Sequence, residues 1–256
     1  MLDIQDFTLH RGNLCVADSL NLSLQHGKVY AILGPNGAGK SSLLGAIFGD
    51  HKYSGQISLK SKNFRSMRTS EWKKQIGYMP QDNVVDANLS AIEVVLLGLI
   101  DHLGYILSDK QLRKAAEIMN SLGILHLAQK NILNLSGGQR QMVMFASVLL
   151  KSPQILLLDE PVSALDVHHQ CILLEAVRKH TYAKDLITLM VLHDISLAAQ
   201  FADELIILAD TKIQAFGEPK KVITKELIER LYRVCADVFE DRSGLPIVAI
   251  KSALVS

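Results

Sequence analysis

The stretch KVYAILGPNGAGKSS, Lys28 to Ser42, decides the fold. Its first half, Lys28–Gly34, is a continuous apolar run ending in glycine, the pattern of a central parallel strand buried on both faces. Its second half fits G-x-x-x-x-G-K-[ST] from Gly34 to Ser41, and SSLLGAIFG continues it as a helix closed by Gly49. The strand before and the helix after are the context that makes this motif a phosphate cradle. Glycines let backbone N–H groups turn inward around phosphates. Lys40 is placed to neutralise the β- and γ-phosphates, and Ser41 to offer its hydroxyl to Mg²⁺. The candidate nucleotide ligands are Gly34, Pro35, Asn36, Gly37, Ala38, Gly39, Lys40, Ser41 and Ser42.

Outward from this loop, ILLLDEP (Ile155–Pro161) sets two adjacent acids after four aliphatic residues. A strand this apolar is buried, so ionised carboxylates at its end need partners. Mg²⁺ and a reacting water would supply them, with Asp159 on the metal side. Glu160 points elsewhere, because side chains alternate on strands, and can take the proton of the attacking water. His193 ends the strand TLMVLH, where a lone histidine is usually structural, and Gln81 follows IGYMP; each is ordinary by itself. A second glycine-rich turn, LSGGQRQ (Leu135–Gln141), stands directly before a helix. A helix N-terminus of this kind also suits an anion, so one chain carries two cradles.

Weak alternation at Leu2, Ile4, Phe7, Leu9, Leu20, Leu22 and Leu24 predicts N-terminal strands, antiparallel to one another. Residues 60–74 hold six basic side chains against Glu71 and read as a solvated surface segment. From Leu89 to Leu150 the spacing is helical, with Ile92, Val95, Leu96 and Leu99, then Leu112, Ala115, Ala116, Met119 and Leu122. Strand and helix alternate again through QILLLDEP, HHQCILLEAVRKH, LITLMVLHD, SLAAQFA and ELIILAD, which implies a mainly parallel sheet with covered faces. In the tail FEDRSGLPIVAI, a turn precedes a last apolar strand. The fold class is therefore α/β: a nucleotide-binding core with a mainly parallel sheet, N-terminal antiparallel strands and an inserted α-helical subdomain. The expected organisation is a core at 1–85 and 152–235, a helical subdomain at 86–151 and a C-terminal extension at 236–256.

Of 256 residues, 27 are basic and 26 acidic, a net charge of +1 that gives no reason to expect nucleic acid as a partner. Three cysteines, far apart and odd in number, suit a reducing compartment and exclude a disulfide scaffold or a cysteine zinc site. No secretory segment is expected at the N-terminus, and no apolar run reaches the ~18 residues of a membrane span. His168 and His169 are adjacent, about 100° apart on a helix, and would share one ion poorly.

The phosphate loop, MPQD, LSGGQRQ, LLLDEP, SALD and VLHD occur in that order, and the chain over nearly its whole length closely resembles the nucleotide-binding subunit of ATP-binding cassette (ABC) transporters. The resemblance implies a P-loop NTPase core that binds ATP with Mg²⁺ and hydrolyses it. It also implies a head-to-tail pair of copies, in which Ser136, Gly137, Gly138 and Gln139 of one copy close over the ATP held by the other. Gln81 would sense Mg²⁺ and the attacking water, His193 would contact the γ-phosphate, and Asp166 in SALD would link the two sites. Members usually stack an aromatic residue on adenine. Arg11 stands at that place here, and a guanidinium can stack on a purine; Phe7 is the weaker alternative. Val162 and Ser42 stand where threonine is common.

A free-standing cassette without coiled coils suggests one subunit of a multi-subunit importer. LSAIEVVLLGL, SALDVHHQ and the tail resemble cassettes of the iron-siderophore, haem and cobalamin importers. The expected partners are a second copy, transmembrane permease subunits and, indirectly, a substrate-binding protein, with the subunit peripheral on the cytoplasmic membrane face. The expected cargo is a ferric siderophore or related iron chelate; haem, cobalamin or another metal chelate is the alternative, and a non-transport ATP-switched binding module the remoter one. Val84–Leu107, apolar and poor in charge, is the candidate permease contact, with core packing as its competing role.

Overall fold

In the computed structural model, which describes residues 1–81, 88–99 and 108–254, the run at Lys28 is strand β3 (Lys28–Leu33) and the helix after the loop is α1 (Lys40–Phe48). β3 belongs to a six-stranded sheet with β6 (Ile76–Met79), β7 (Ile155–Asp159), β8 (Ile187–Val191), β9 (Glu204–Ala209) and β10 (Lys212–Gly217). The order is β10-β9-β3-β8-β7-β6, parallel throughout except for β10, which pairs antiparallel at one edge. β10 was not legible as a strand, because most of its residues are only half-buried and its pattern is mixed.

Successive residues of each inner strand serve different cores, as a period of two requires. Val29, Ala31 and Leu33 join one hydrophobic cluster, and Tyr30 and Ile32 the other. Leu156 and Leu158 divide from Ile155 and Leu157 in the same way. Both faces being dry, these strands show no polar alternation in sequence. The second cluster is closed by α1 and by an antiparallel sheet of β1 (Leu2–Arg11), β2 (Leu14–Leu24), β4 (Ser54–Leu59) and β5 (Lys62–Asn63), in the order β2-β1-β4-β5. The alternation from Leu2 to Leu24 is the buried face of β1 and β2. Phe7 is fully buried there, so it is core and not a base-stacking residue.

Against the first cluster lie α3 (Ala91–Leu97), α4 (Asp109–Ser121), α5 (Gly137–Leu150), α6 (Val167–Lys184) and α7 (Ile195–Phe201). α3, α4 and α5 each start with a serine whose side chain caps the helix while a glutamate or glutamine three residues on reaches back, at Ser90/Glu93, Ser108/Gln111 and Ser136/Gln139. α4 buries Ala115, Ile118 and Met119, and Leu112, expected on that stripe, is 46% exposed. Of the stretch Val84–Leu107, residues 84–87 and 100–107 lie outside the described residues. In the described part, Val94, Val95, Leu96 and Leu99 are core, leaving Leu97 as its exposed large apolar side chain. After β10 come α8 (Pro219–Val222), α9 (Lys225–Tyr232) and a hairpin of β11 (Val234–Glu240) and β12 (Pro246–Ala253). The hairpin opens two residues before the expected extension, and Ala236 is fully buried. β12 is mostly exposed, with Ile247 and Ile250 at 45% and 61%, so it is no buried strand despite its composition.

The basic segment at 60–74 also departs from expectation. Its helix α2 (Thr69–Lys74) buries Trp72 completely, and Trp72 Nε1 donates to Ile47 O at 2.8 Å. Phe64 packs on it with ring centroids 5.1 Å apart, while Lys73 pairs with Asp50. Charged residues on the outer face masked an anchored inner one. Trp72→Ala is expected to cost about 3–5 kcal/mol of stability, from the cavity and the orphaned carbonyl together. Urea unfolding followed by circular dichroism measures it, since the variant has no tryptophan left.

Candidate functional site

The chemistry-bearing residues collect at the carboxyl ends of neighbouring parallel strands. The phosphate loop follows β3, Gln81 follows β6, Asp159 and Glu160 end and follow β7, and His193 follows β8. The register pairs Ile32 and Asp159 with Val191, and Leu158 with Met79, so these ends are level. In open parallel sheets the crevice beyond the carboxyl ends is where ligands bind.

Gly34 leaves β3 with φ 150°, and a Cβ there would lie 1.9 Å from Leu208 O of β9. Only glycine lets the loop turn this close to the neighbouring strand. Lys40 heads α1 at 6% exposure, and its Nζ donates to Gly34 O at 2.8 Å and Pro35 O at 2.9 Å. Burial pulls its pKa down, opposed by the charges of Glu160 and Asp159. Ala38 serves the loop's own turn, its N–H donating to Pro35 O at 3.2 Å. Behind the loop, the backbone of Gly34 hydrogen-bonds to the hydroxyl of Tyr232 at the end of α9, whose pKa burial pushes up to about 12.

Ser41 Oγ donates to Asp159 Oδ1 at 3.0 Å. Asp159 is 3% exposed, and burial raises its pKa while the Ser41 bond pulls it back. The Ser41 hydroxyl, the Asp159 carboxylate and the amide oxygen of Gln81 are hard oxygen donors of the kind that fit Mg²⁺, which usually binds through one or two carboxylates and completes its shell with phosphates and water. No group of three or more histidine, cysteine or acidic side chains that could cage a metal exists among the described residues.

Glu160 has φ 50°, the left-handed region a glutamate rarely occupies. That turn brings its Oε1 to 2.6 Å from His193 Nε2, the carboxylate 14% exposed and the imidazole 48%. Gln141 of α5 donates from Nε2 to Glu160 O at 3.2 Å, and its Oε1 accepts from Ala164 N at 3.3 Å. Helix α5 is thereby tied to both the acid and the SALD turn.

A cleft of about 620 Å³ is lined by Arg11, Leu14, Val16, Asn36, Gly37, Gly39, Lys40, Ser41, Ser42, Gln81, Glu160 and His193. Pro35 lines a neighbouring cavity that meets it at Asn36 and His193. The cleft takes Lys40, Glu160 and His193 from the carboxyl ends of the parallel strands and their loops, and Arg11 and Leu14, a cross-strand pair, from the β1–β2 turn. Ser136 to Gln139 do not line this cleft. Ser136 Oγ accepts from Gln139 N at 3.2 Å and Gln139 Oε1 from Ser136 N at 3.1 Å, so these side chains serve each other. The N–H groups of Gly137 and Gly138, in the first turn of α5, have no intrahelical acceptor. Asp166 caps α6, accepting from His169 N at 2.9 Å, with His169 Nδ1 2.9 Å from both carboxylate oxygens. The His169 backbone bond, then its side chain, lowers the Asp166 pKa.

Leu14, Val16, Gln141 and Tyr232 were missed by sequence reading. Gln141 stands inside the quoted LSGGQRQ and its neighbourhood was a signal; the others have none, because turn geometry and a returning helix bring them in.

A family model described as ABC transporter matches residues 17–163. The chain is 34% identical over 247 residues to the Hemin import ATP-binding protein HmuV of Myxococcus xanthus, covering 93% of this chain and 92% of that one. It is 34% identical over 248 residues to the Ferric enterobactin transport ATP-binding protein FepC of Escherichia coli, with 95% and 92% covered. It is 31% identical over 232 residues to the Cobalamin import ATP-binding protein BtuD of Halobacterium salinarum, covering 90% of this chain and 58% of that one. Among solved structures, the dimeric structure of MJ0796, a bacterial ABC transporter cassette, superposes with TM-score 0.76 at 27% identity, over 85% of this chain and 98% of that one.

The buried carboxylate of Asp159 gives a test of stability against pH. Its folded pKa lies above the ordinary carboxylate value, so the native state holds the proton more tightly than the unfolded chain, and stability falls as pH rises between the two values. Asp159→Asn, which keeps an acceptor for Ser41, is expected to raise the nucleotide-free melting temperature at pH 7, by a margin that shrinks as pH falls through the carboxylate range. The same variant should lose the extra stabilisation that Mg²⁺ adds to bound ATP. Differential scanning calorimetry at several pH values measures both.

Proposed function

The chain belongs to the ABC transporter family and is an ATPase coupled to transport, and from that premise we propose how its residues divide the work and what it moves. ATP lies along the cleft with its triphosphate on Gly34–Ser42 and its base at Arg11. Lys40 exchanges its bonds to the Gly34 and Pro35 carbonyls for phosphate oxygens. Ser41, Asp159 and Gln81 would hold Mg²⁺, which would supply charge neutralisation to the phosphates. Glu160 accepts the proton of the attacking water, and His193 orients that carboxylate and reaches the γ-phosphate.

The observation that carries the reading is the separation of the two glycine cradles. The cleft holds the loop, the acid and the histidine, while Gly137 and Gly138, at the start of α5, do not line it. A helix N-terminus with unbonded N–H groups attracts a γ-phosphate, and the one available is that of a second copy. Two chains packed head to tail then complete two sites and exclude water from both. The relative solved as a dimer supports this arrangement.

The cargo proposed is an iron chelate of the ferric siderophore type, supported by a relative named for ferric enterobactin; haem or cobalamin, in the names of other relatives, is the second reading. No described helix is long and apolar enough to cross a membrane. The subunit is proposed to act from the cytoplasmic face beneath permease subunits, with a substrate-binding protein on the far side.

Glu160→Gln is expected to bind ATP and to lose turnover about 10²–10⁴-fold. Light scattering after size exclusion should show ATP-dependent pairing of this variant, abolished by adding Gly137→Asp. A Glu160→Gln variant that turns over like the parent chain would remove Glu160 as the base. Pairing that survives Gly137→Asp would remove the second cradle from the interface. For the cargo, the chain co-expressed with its permease and reconstituted in vesicles should hydrolyse ATP faster when the binding protein carries a ferric siderophore; stimulation by haem or cobalamin alone would select the second reading.

A further inference from the structure

Arg11 is held in place, and what holds it is a side chain outside the cleft. Its Nη1 lies 2.8 Å from His51 Nε2 and 3.4 Å from His51 Nδ1. No carboxylate pairs with Arg11 or with His51 among the described residues, and the neighbouring Asp50 is engaged by Lys73. The imidazole has a built seat. Gly49 ends α1 in the left-handed conformation, φ 96°, and reverses the chain so that residue 51 folds back over the helix. There the ring lies on Gly45, where a Cβ would come within 2.8 Å of His51 Nε2. A glycine in a helix interior is unfavourable by itself, and here its bare backbone is the floor under the ring.

We propose that His51 is a positioning residue for nucleotide binding: through Arg11 it sets the wall against which the base of the nucleotide lies. The inference rests on the reading that the base sits at Arg11. Both ring nitrogens lie close to the one Nη1, which places the guanidinium over the face of the imidazole, and a planar guanidinium packs on such a face. An unpinned arginine samples many rotamers, and a base stacking on it would have to order it first. With the guanidinium fixed by His51, that entropy is lost on folding instead, and the planar group waits beside Leu14, its 67%-exposed cross-strand partner. His51 does not line the cleft, so its effect is expected on ligands that carry a base.

Calorimetric titration of the full chain with ADP and with pyrophosphate tests this without turnover. His51→Ala is expected to weaken ADP about 2–5-fold, the size of one guanidinium–ring contact, and to leave pyrophosphate affinity as it was. His51→Phe, which offers a ring face from the same position, should recover part of the loss. Arg11→Ala should weaken ADP at least as much, and the double variant no more than Arg11→Ala alone. If Arg11→Ala weakens ADP while His51→Ala does not, the positioning role is overturned and the base-wall reading stands. If Arg11→Ala leaves ADP binding unchanged, the base-wall reading fails and the inference with it. Equal losses for ADP and pyrophosphate in His51→Ala would mean that the ring supports the loop as a whole, and would also overturn the proposal.

Discussion

Lys40 and Asp159 are ionisable side chains held almost out of water at the edge of an apolar sheet, and the architecture follows from keeping them there. Neither has a full counter-charge of its own. Lys40 leans on carbonyl oxygens and Asp159 on one hydroxyl, and burial disfavours the charged form of each. Such a site is stable only on a rigid support whose own packing supplies the free energy. The support is a set of strands dry on both faces, with a helical layer on one side and the antiparallel sheet with α1 on the other. A triphosphate with Mg²⁺, as proposed for this cleft, would bring the missing charges of both signs.

The two layers contribute differently to the cleft. The antiparallel sheet delivers Arg11 and Leu14, through the turn that pairs them, which is the proposed base end. The helical layer delivers no cleft residue from its glycine-rich turn, yet it is connected to the reacting end. Gln141 bonds the backbone of Glu160 on one side and that of Ala164 on the other. Gly138 is close enough that a Cβ would come within 3.1 Å of Ala164 O, so the helix start and the SALD turn move as one. The strained backbone of Glu160 sits where these connections meet. A partner's nucleotide bound at the start of α5 would therefore be felt at this chain's own acid through a short run of hydrogen bonds.

Closure at the back of the loop comes from the far end of the chain. Tyr232 reaches the backbone of Gly34 from the end of α9, and β11 continues from that helix into a largely exposed hairpin. The last elements of the chain are thus bonded to the first turn of the phosphate loop.

The sequence by itself determined the sheet, the two cradles and the acids. Uninterrupted apolar runs have one physical use in a chain of this size, and a glycine-rich loop with lysine between strand and helix has almost one. The alternation at Leu2 to Leu24 was legible because one face of β1 and β2 is wet. Where both classes of residue share a short element the reading was incomplete: cations around Trp72 hid a buried helix face, and the aliphatic content of β12 gave its strand but not that the strand is mostly exposed. Only the tertiary structure decided which distant residues meet. That His193 reaches Glu160, that His51 pins Arg11 and that Tyr232 backs Gly34 depend on strand register, a left-handed residue and a returning helix. These are properties of how elements are stacked, and no local spacing encodes them.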